Sequence, residues 1–410
     1  MSKLEDYCIN ITDGEHGTVK DVQASEFFLL SNKNIKNSKI YIDNSDRTIS
    51  QADYEIINKR TKIEHEDVVI ATVGTIGKTA VLDNPSNYVF QRSVGIIKTN
   101  KKILNPYYLK YQIDAPYFQK RLQLLSKGGV QKCIFINDLK KLEVNIPPIK
   151  EQEEIVLILK NIDSKIENNN AIISELESMA KDIYDYWFVQ FDFPDENGKP
   201  YKSSGGKMVW NEELKREIPE GWKADKLGSI VSVITNRINA EQIGHRKYIP
   251  IEVIPRNKMS FYETADIDKA ATGLCSFNKG AILLSNRRVY FHKVSISPFD
   301  GVTRDTVIIM EAQKDNLGYA YQIVNSDHFI NYATRFSYGT EQPVLSTPSA
   351  LAYDVLCPNN AVDLKYSRFV APLIEKVLSL EQENAELTSL RDFLLPLLIN
   401  GQVKIGDIEA

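Results

Sequence analysis

Apolar and polar positions first alternate in short runs and then change period. Val68-Val69-Ile70-Ala71-Thr72-Val73, Thr79-Ala80-Val81-Leu82 and Val94-Gly95-Ile96-Ile97 are β-rich and separated by Gly, Asn and Pro, which predicts strands with turns between them. Between Tyr107 and Leu125, residues Tyr108, Tyr111, Phe118, Leu122 and Leu125 follow helical spacing. Pro147-Pro148 closes this part, and Glu151, Glu153 and Glu154 then complement the dipole of a starting helix. Apolar residues three or four apart on a narrow stripe predict that helix over about residues 150–187, with a coiled-coil seam. A second stripe predicts a helix over about residues 362–399, broken near its end by Pro396.

The pattern occurs twice. Lys127-Gly128-Gly129-Val130-Gln131 aligns with Tyr338-Gly339-Thr340-Glu341-Gln342, a shift of 211 residues. The same shift lays Leu142-Glu143-Val144 on Tyr353-Asp354-Val355 and Pro147 on Pro358. It also lays the seam Ile155, Ile158, Ile162, Ile166, Leu176, Met179 and Ile183 on Tyr366, Phe369, Leu373, Val377, Leu387, Leu390 and Leu394. A period this long is not a solenoid. It predicts an α+β chain with two pseudo-repeated α/β domains separated by two long helices. The boundaries are 1–149 for the first domain, 150–188 for the first helix, 189–222 for a connector, 223–360 for the second domain and 361–410 for the second helix and tail. Ser203-Ser204-Gly205-Gly206 makes the connector flexible in composition. Two readings of the helices are open: an intramolecular antiparallel coiled coil about 55 Å long, or dimerisation between chains. Asn169, on the seam within Asn168-Asn169-Asn170, is either a register device or the site of a bend.

Composition narrows the class. At 43% hydrophobic and 25% charged, the chain is ordinary for a globular protein, and no run reaches the roughly 18 apolar residues of a membrane span. Met1 is followed by polar residues and not by a signal peptide's apolar core, so no membrane role and a cytoplasmic location are expected. Cys8, Cys133, Cys275 and Cys357 lie far apart, and the five histidines form no metal-binding pattern, so no metal site is expected. The net charge of −4 is unevenly spread. Residues 1–150 hold 22 Lys and Arg against 17 Asp and Glu, whereas residues 151–190 hold 3 against 9. Lys279, Arg287, Arg288, Lys293 and Arg304 face only Asp300 in their stretch. Because screening confines surface fields to about 10 Å, local sign decides, and the globular parts can hold a polyanion.

Longer stretches carry a family resemblance over essentially the whole chain. Asn145-Ile146-Pro147-Pro148-Ile149-Lys150-Glu151-Gln152 leads into the first helix, and Trp187-Phe188-Val189-Gln190-Phe191-Asp192-Phe193-Pro194 follows it. Gly198-Lys199-Pro200-Tyr201-Lys202-Ser203-Ser204-Gly205-Gly206, Ile218-Pro219-Glu220-Gly221-Trp222 and Leu390-Arg391-Asp392-Phe393-Leu394-Leu395-Pro396-Leu397-Leu398 complete the set. In order, spacing and duplication the chain resembles the specificity subunit of type I restriction–modification enzymes. The resemblance implies two target recognition domains, each reading one half of a split, asymmetric site in double-stranded DNA. It implies paired helices that act as spacer and dock two methyltransferase subunits, with restriction/translocase subunits completing the complex. The resemblance also implies no catalytic residue and no cofactor in this chain, since S-adenosylmethionine, ATP and Mg belong to the partners. One departure is Asn359-Asn360-Ala361, which stands where the first copy has Pro148-Ile149-Lys150.

Motifs that suggest chemistry weigh little. Val73-Gly74-Thr75-Ile76-Gly77-Lys78-Thr79 lacks the first Gly of a P-loop, since Thr72 stands there, and a strand follows where a helix is needed. It reads as a hairpin offering Thr75, Lys78 and Thr79 to a groove or phosphate, or as a plain turn. Asn105-Pro106-Tyr107-Tyr108 lacks the second Pro of a base-positioning methyltransferase motif and reads as a helix cap. Three places suit DNA reading. The first is the end of the opening strand, Thr12 and Asp13 in one copy and Thr235, Asn236 and Arg237 in the other. The second is the central hairpin, with Thr75, Lys78, Thr79, Gln91 and Arg92, and in the second copy Asn286, Arg287, Arg288, Tyr290 and Arg304. The third is the Gly-Gln turn, with Lys127, Gln131 and Lys132 against Tyr338, Thr340 and Gln342. Gln and Asn suit adenine, Arg suits guanine, and Lys suits phosphate.

Overall fold

A computed structural model describes residues 2–127, 132–270, 273–313, 315–359 and 361–403. The chain divides into two units, Met1–Ser164 with Ser389–Ala410, and Lys165–Thr388. In the first, the apolar runs pair into an antiparallel sheet in the order Cys8–Asp13, Val94–Thr99, Val68–Ala71, Thr79–Val81. The second unit repeats that order with Val231–Val233, Val307–Ala312, Ile282–Ser285 and Val294–Ile296. Outside this frame the units differ. The first adds a three-stranded sheet, Thr48–Ile49, Phe27–Leu30 and Tyr88–Phe90, and the helix Gln51–Thr61. The second adds four strands, Arg237–Ile238, Leu274–Phe277, Gly301–Arg304 and Lys247–Tyr248. Among the described residues no helix is long and apolar enough to cross a membrane.

The helical spacing from Tyr107 to Leu125 resolves into two helices, Pro106–Asp114 and Pro116–Leu125. Pro116 forces Ala115 into extended backbone (φ −60°, ψ 138°), which ends the first helix and begins the second. Asn105 caps the first as its spacing predicts, its Oδ1 accepting the Tyr107 and Tyr108 amides at 2.9 and 3.3 Å. The second unit repeats the pair as Leu317–Val324 and Asp327–Arg335.

The long helices run over Ile149–Tyr184, continued by a π-type turn at Asp185–Val189, and over Val362–Ile399. Within each unit they pair antiparallel. In the first, Ile155, Val156 and Leu159 share a core with Leu395, Leu398 and Ile399, and Asp163 accepts from Arg391 (3.1 Å) and Tyr111 (2.7 Å). In the second, Asn169 meets Asn384, and the Tyr366 hydroxyl donates to the Ala180 carbonyl at 2.7 Å. Three details correct the sequence reading. Pro396 does not break its helix: the proline forfeits one hydrogen bond, but Leu395, Leu398 and Ile399 bury that turn in the core. The residues Asn168-Asn169-Asn170 stay helical. And the seam is only partly the expected one, because Met179, Phe369 and Leu390 are exposed while Ile173, Ala180, Val370 and Ile374 are buried. Two apolar faces run along these helices, and their pairing covers one.

Asn169 links the two long helices. Its amide, fully buried, donates to Asn384 Oδ1 (3.0 Å) and Glu383 (2.9 Å), while Asn384 donates to Asn170 (3.1 Å). Replacing Asn169 alone by Leu leaves the buried Asn384 Oδ1 without its donor, a cost of about 1–3 kcal/mol. Asn169→Leu with Asn384→Leu is expected to recover most of that in chemical denaturation; a double variant as unstable as the two singles summed would refute the pairing role.

Residues 189–222 are built into the second unit's core. Phe191, Phe193 and Trp222 are buried, Phe193 stacks on Trp222 with centroids 4.9 Å apart, and Met208–Asn211 pairs with Arg216–Pro219. Asp192 accepts the Ser203 amide (2.7 Å) and hydroxyl (2.5 Å), which pins the Ser-Ser-Gly-Gly run that composition reads as flexible.

Candidate nucleic-acid interface

In the second unit the candidate residues gather at one end of the four-stranded sheet, where Ile282–Ser285 stops and Val307–Ala312 starts. Asn286 lies at the junction. Its amide N–H donates to Thr306 O (3.0 Å), its side chain to Asp305 O (2.7 Å), and its carbonyl accepts from Leu345 (2.9 Å). Arg287 bridges to Val344, and the Arg288 N–H donates to Pro343 O (2.9 Å) while its guanidinium reaches Glu341 O (3.4 Å). Tyr338 and Val344 exchange backbone bonds at 3.0 and 2.9 Å, so the turn carrying Tyr338, Thr340 and Gln342 is laced to the hairpin carrying Asn286, Arg287 and Arg288. Tyr290, Arg304, Tyr338, Thr340 and Gln342 are exposed. Two polar atoms here are buried without a partner, Asn286 Oδ1 and Arg288 Nε, and Arg288 holds a left-handed backbone (φ +47°). Buried polar atoms without a partner cost stability.

Thr235, Asn236 and Arg237 are placed separately. They carry the chain from the end of the first sheet into the second, where Asn236 donates to Ser276 Oγ (2.8 Å) and Arg237 stands opposite Cys275.

The first unit repeats the arrangement with different side chains. The Gly14 N–H donates to Val94 O (3.1 Å), Glu15 to Phe90 O (2.7 Å) and Arg92 to Glu15 O (2.9 Å), which binds the strand end carrying Thr12 and Asp13 to Gln91 and Arg92. A Cβ on Gly14 would run into the Phe90 carbonyl, so this crossing requires glycine. Asn32 links Ser93 Oγ (3.2 Å) to Thr75 Oγ1 (3.4 Å), and Val73 bridges to Cys133 as Arg287 does to Val344. Gly74 and Gly77 take positive φ (+72° and +87°) in a strand–turn–strand, so the P-loop-like run presents no helix N-terminus. Thr75, Lys78, Arg92 and Lys132 are exposed, whereas Lys127 is held by Asp138 at 2.9 Å.

Thr79 does not belong to this surface. It is 3% exposed and gives its hydroxyl to Asp114 at 2.6 Å, because the first residue of its strand points inward. Gln131 lies outside the described residues. Asp13 is occupied by His16 at 2.7 Å. Arg60 escapes the sequence reading: from the helix Gln51–Thr61 it donates to Gly14 O (2.6 Å) and Asp13 O (3.2 Å) and approaches Glu15 (3.5 Å), holding that loop. In sequence it reads only as a cation closing a helix.

Comparison with known proteins agrees with this geometry. Residues 17–178 match the family described as type I restriction modification DNA specificity domain. The chain is 23% identical to the type I restriction enzyme MjaIX specificity subunit of Methanocaldococcus jannaschii, over 95% of this chain and 90% of that protein. It is 21% identical to the HindI specificity subunit of Haemophilus influenzae, over 80% of this chain and 84% of the relative. In fold it is similar to the crystal structure of a type I restriction–modification system S subunit from M. genitalium, with a TM-score of 0.60, 17% identity, and coverage of 97% of this chain and 95% of that one. Along nearly its whole length the chain is similar to type I restriction–modification specificity subunits, and residues 17–178 match their DNA specificity domain.

Proposed function

We propose that this chain recognises a bipartite, asymmetric site in double-stranded DNA for a type I restriction–modification complex and performs no catalysis itself. Each recognition domain reads one half-site, the long helices set the gap, and two methyltransferase subunits dock on those helices. Restriction/translocase subunits complete the complex. S-adenosylmethionine, ATP and Mg are used by the partners. The observation that carries the reading is the repeated sheet end: in each unit the same hairpin and turn are laced together and present a different set of polar and basic side chains. Identical frames with different side chains suit two different half-sites. Support for docking comes from the second apolar face of the helices, Leu157, Leu390 and Phe393 in one unit and Ile172, Met179 and Phe369 in the other.

The test is a genome-wide map of methylated adenine in cells co-expressing this chain with its cognate methyltransferase subunit. A two-part asymmetric motif that disappears without this chain is expected. Matched seven-residue insertions in both helices, two turns each, are expected to widen the gap by about three base pairs and leave the bases unchanged. A motif of one part, or insertions that change the bases and not the gap, would overturn the reading.

A further inference from the structure

In each unit the first helix of the repeated pair packs on the sheet strand that leaves the candidate hairpin. Pro106–Asp114 lies on Thr79–Val81, and Leu317–Val324 lies on Val294–Ile296. Those two strands hold the same edge position in the two four-stranded sheets. Asp114 and Asn325 stand where the first helix of each pair ends, 211 residues apart, which is the shift of the repeat.

Both residues tie the hairpin down. Asp114 Oδ1 accepts the Thr79 hydroxyl at 2.6 Å, where the first hairpin enters its return strand. His292 Nε2 lies 2.8 Å from the Asn325 carbonyl oxygen and 3.1 Å from its Oδ1, just before the return strand of the second hairpin. Different side chains make the tie at one position of the repeat, so the tie itself is the shared feature. The first hairpin has another: Gln119 Nε2 donates to Gly77 O (3.0 Å) and to Ile113 O (2.7 Å). A Cβ on Gly77 would fall 2.4 Å from Gln119 Oε1, so that side chain is packed against the turn. Each helix pair is fixed in turn on a long helix of its own unit. Asp114 pairs with Lys110 (3.2 Å), which lies 3.7 Å from Asp163, and Asn316 donates to Asp363 at 2.7 Å. The tying groups are withdrawn from the surface: Thr79 is 3% exposed, and Gln119, His292 and Asn325 are half-buried. The neighbouring Thr75, Lys78 and Tyr290 are exposed.

We propose that Thr79 with Asp114, and His292 with Asn325, are positioning residues for the two half-sites. They hold each hairpin at the height and angle its outward side chains need, and they touch no DNA themselves. The inference rests on the reading of the chain as a bipartite DNA recogniser. A recognition side chain must be held to about 0.5 Å by the groups behind it, and a hydrogen bond from a fixed helix end to the root of a hairpin supplies that restraint.

The experiment is competition binding of the complex reconstituted with its cognate methyltransferase subunit, on duplexes carrying the mapped target with one half-site altered at a time. Thr79→Val, which keeps the shape and removes the hydroxyl, is expected to lower base discrimination about tenfold at one half-site only. His292→Phe is expected to lower it about threefold or more at the other half-site only. Thr79→Ser and His292→Gln keep a donor and are expected to retain discrimination. Gln119→Ala is expected to relax the same half-site as Thr79→Val, and it decides the first arm if that variant does not assemble. Loss shared equally by both half-sites, or full discrimination in Gln119→Ala and His292→Phe, would overturn the positioning role. A parent complex that reads no two-part site would overturn the DNA-reading role itself, and this inference with it.

Discussion

Replacing Arg287 and Arg288 together by Ala is expected to abolish or relax recognition of one half-site while the other half-site keeps its bases. Both residues sit in the hairpin that Val344, Pro343 and Glu341 hold in place. A bidentate Arg–guanine pair discriminates by about 1–3 kcal/mol, so losing one weakens specific binding roughly 5- to 150-fold. If one of the two instead meets phosphate, affinity falls for every sequence and the salt dependence becomes shallower by about one unit of slope. Competition binding of the reconstituted complex to duplexes varied one half-site at a time, at fixed salt, separates these outcomes. Arg287→Lys and Arg288→Lys provide the control, since lysine restores charge without the planar fork. Unaltered binding and unaltered methylation by the Ala variant would remove this hairpin from the interface.

Glu381→Gln is expected to stabilise the protein at alkaline pH and to flatten its pH dependence. Glu381 sits on the second long helix and is 3% exposed. Burial pushes its carboxyl up to about 7, with Lys258 opposing the rise and Glu177 and Glu263 adding to it. A carboxyl whose folded pKa exceeds its unfolded one binds its proton more tightly in the folded chain. Stability is therefore full below about pH 4.5 and is lost as pH climbs to about 7. Across that window the loss is on the order of 1–3 kcal/mol. Glutamine keeps the shape and cannot ionise, so the variant should match the parent near pH 4.5 and exceed it at pH 8 in urea denaturation. The neighbouring Glu177, also raised by burial but held by the Met259 N–H, should give a smaller change as Glu177→Gln. Identical pH profiles for parent and Glu381→Gln would show that the carboxyl ionises freely in the folded chain.

Much of the frame is local and therefore legible. Val362 and Ile399 bound the second long helix where the apolar stripe places them, and Asn105 caps its helix from its own first turn. The duplicated turn at Lys127 and Tyr338 marks two copies of one topology, down to equivalent bridges at Val73–Cys133 and Arg287–Val344. The candidate surface is less legible. Thr79 and Thr75 are four residues apart with similar chemistry, yet one hydroxyl is buried on Asp114 and the other is exposed, because the pleat of a strand and the exit of a turn point them to opposite sides.

By itself the sequence determined the repeat and the strands and helices it repeats, since periodicity, capping and turn chemistry act within a few residues of chain. Only the tertiary structure decided which helical face is covered, leaving Met179, Phe369 and Leu390 outward, and which distant side chains complete the loops, as Arg60 does for Asp13 and Gly14. The reason is physical: a side chain's burial and partners depend on what another part of the chain brings to within a few ångströms, and no local pattern encodes that.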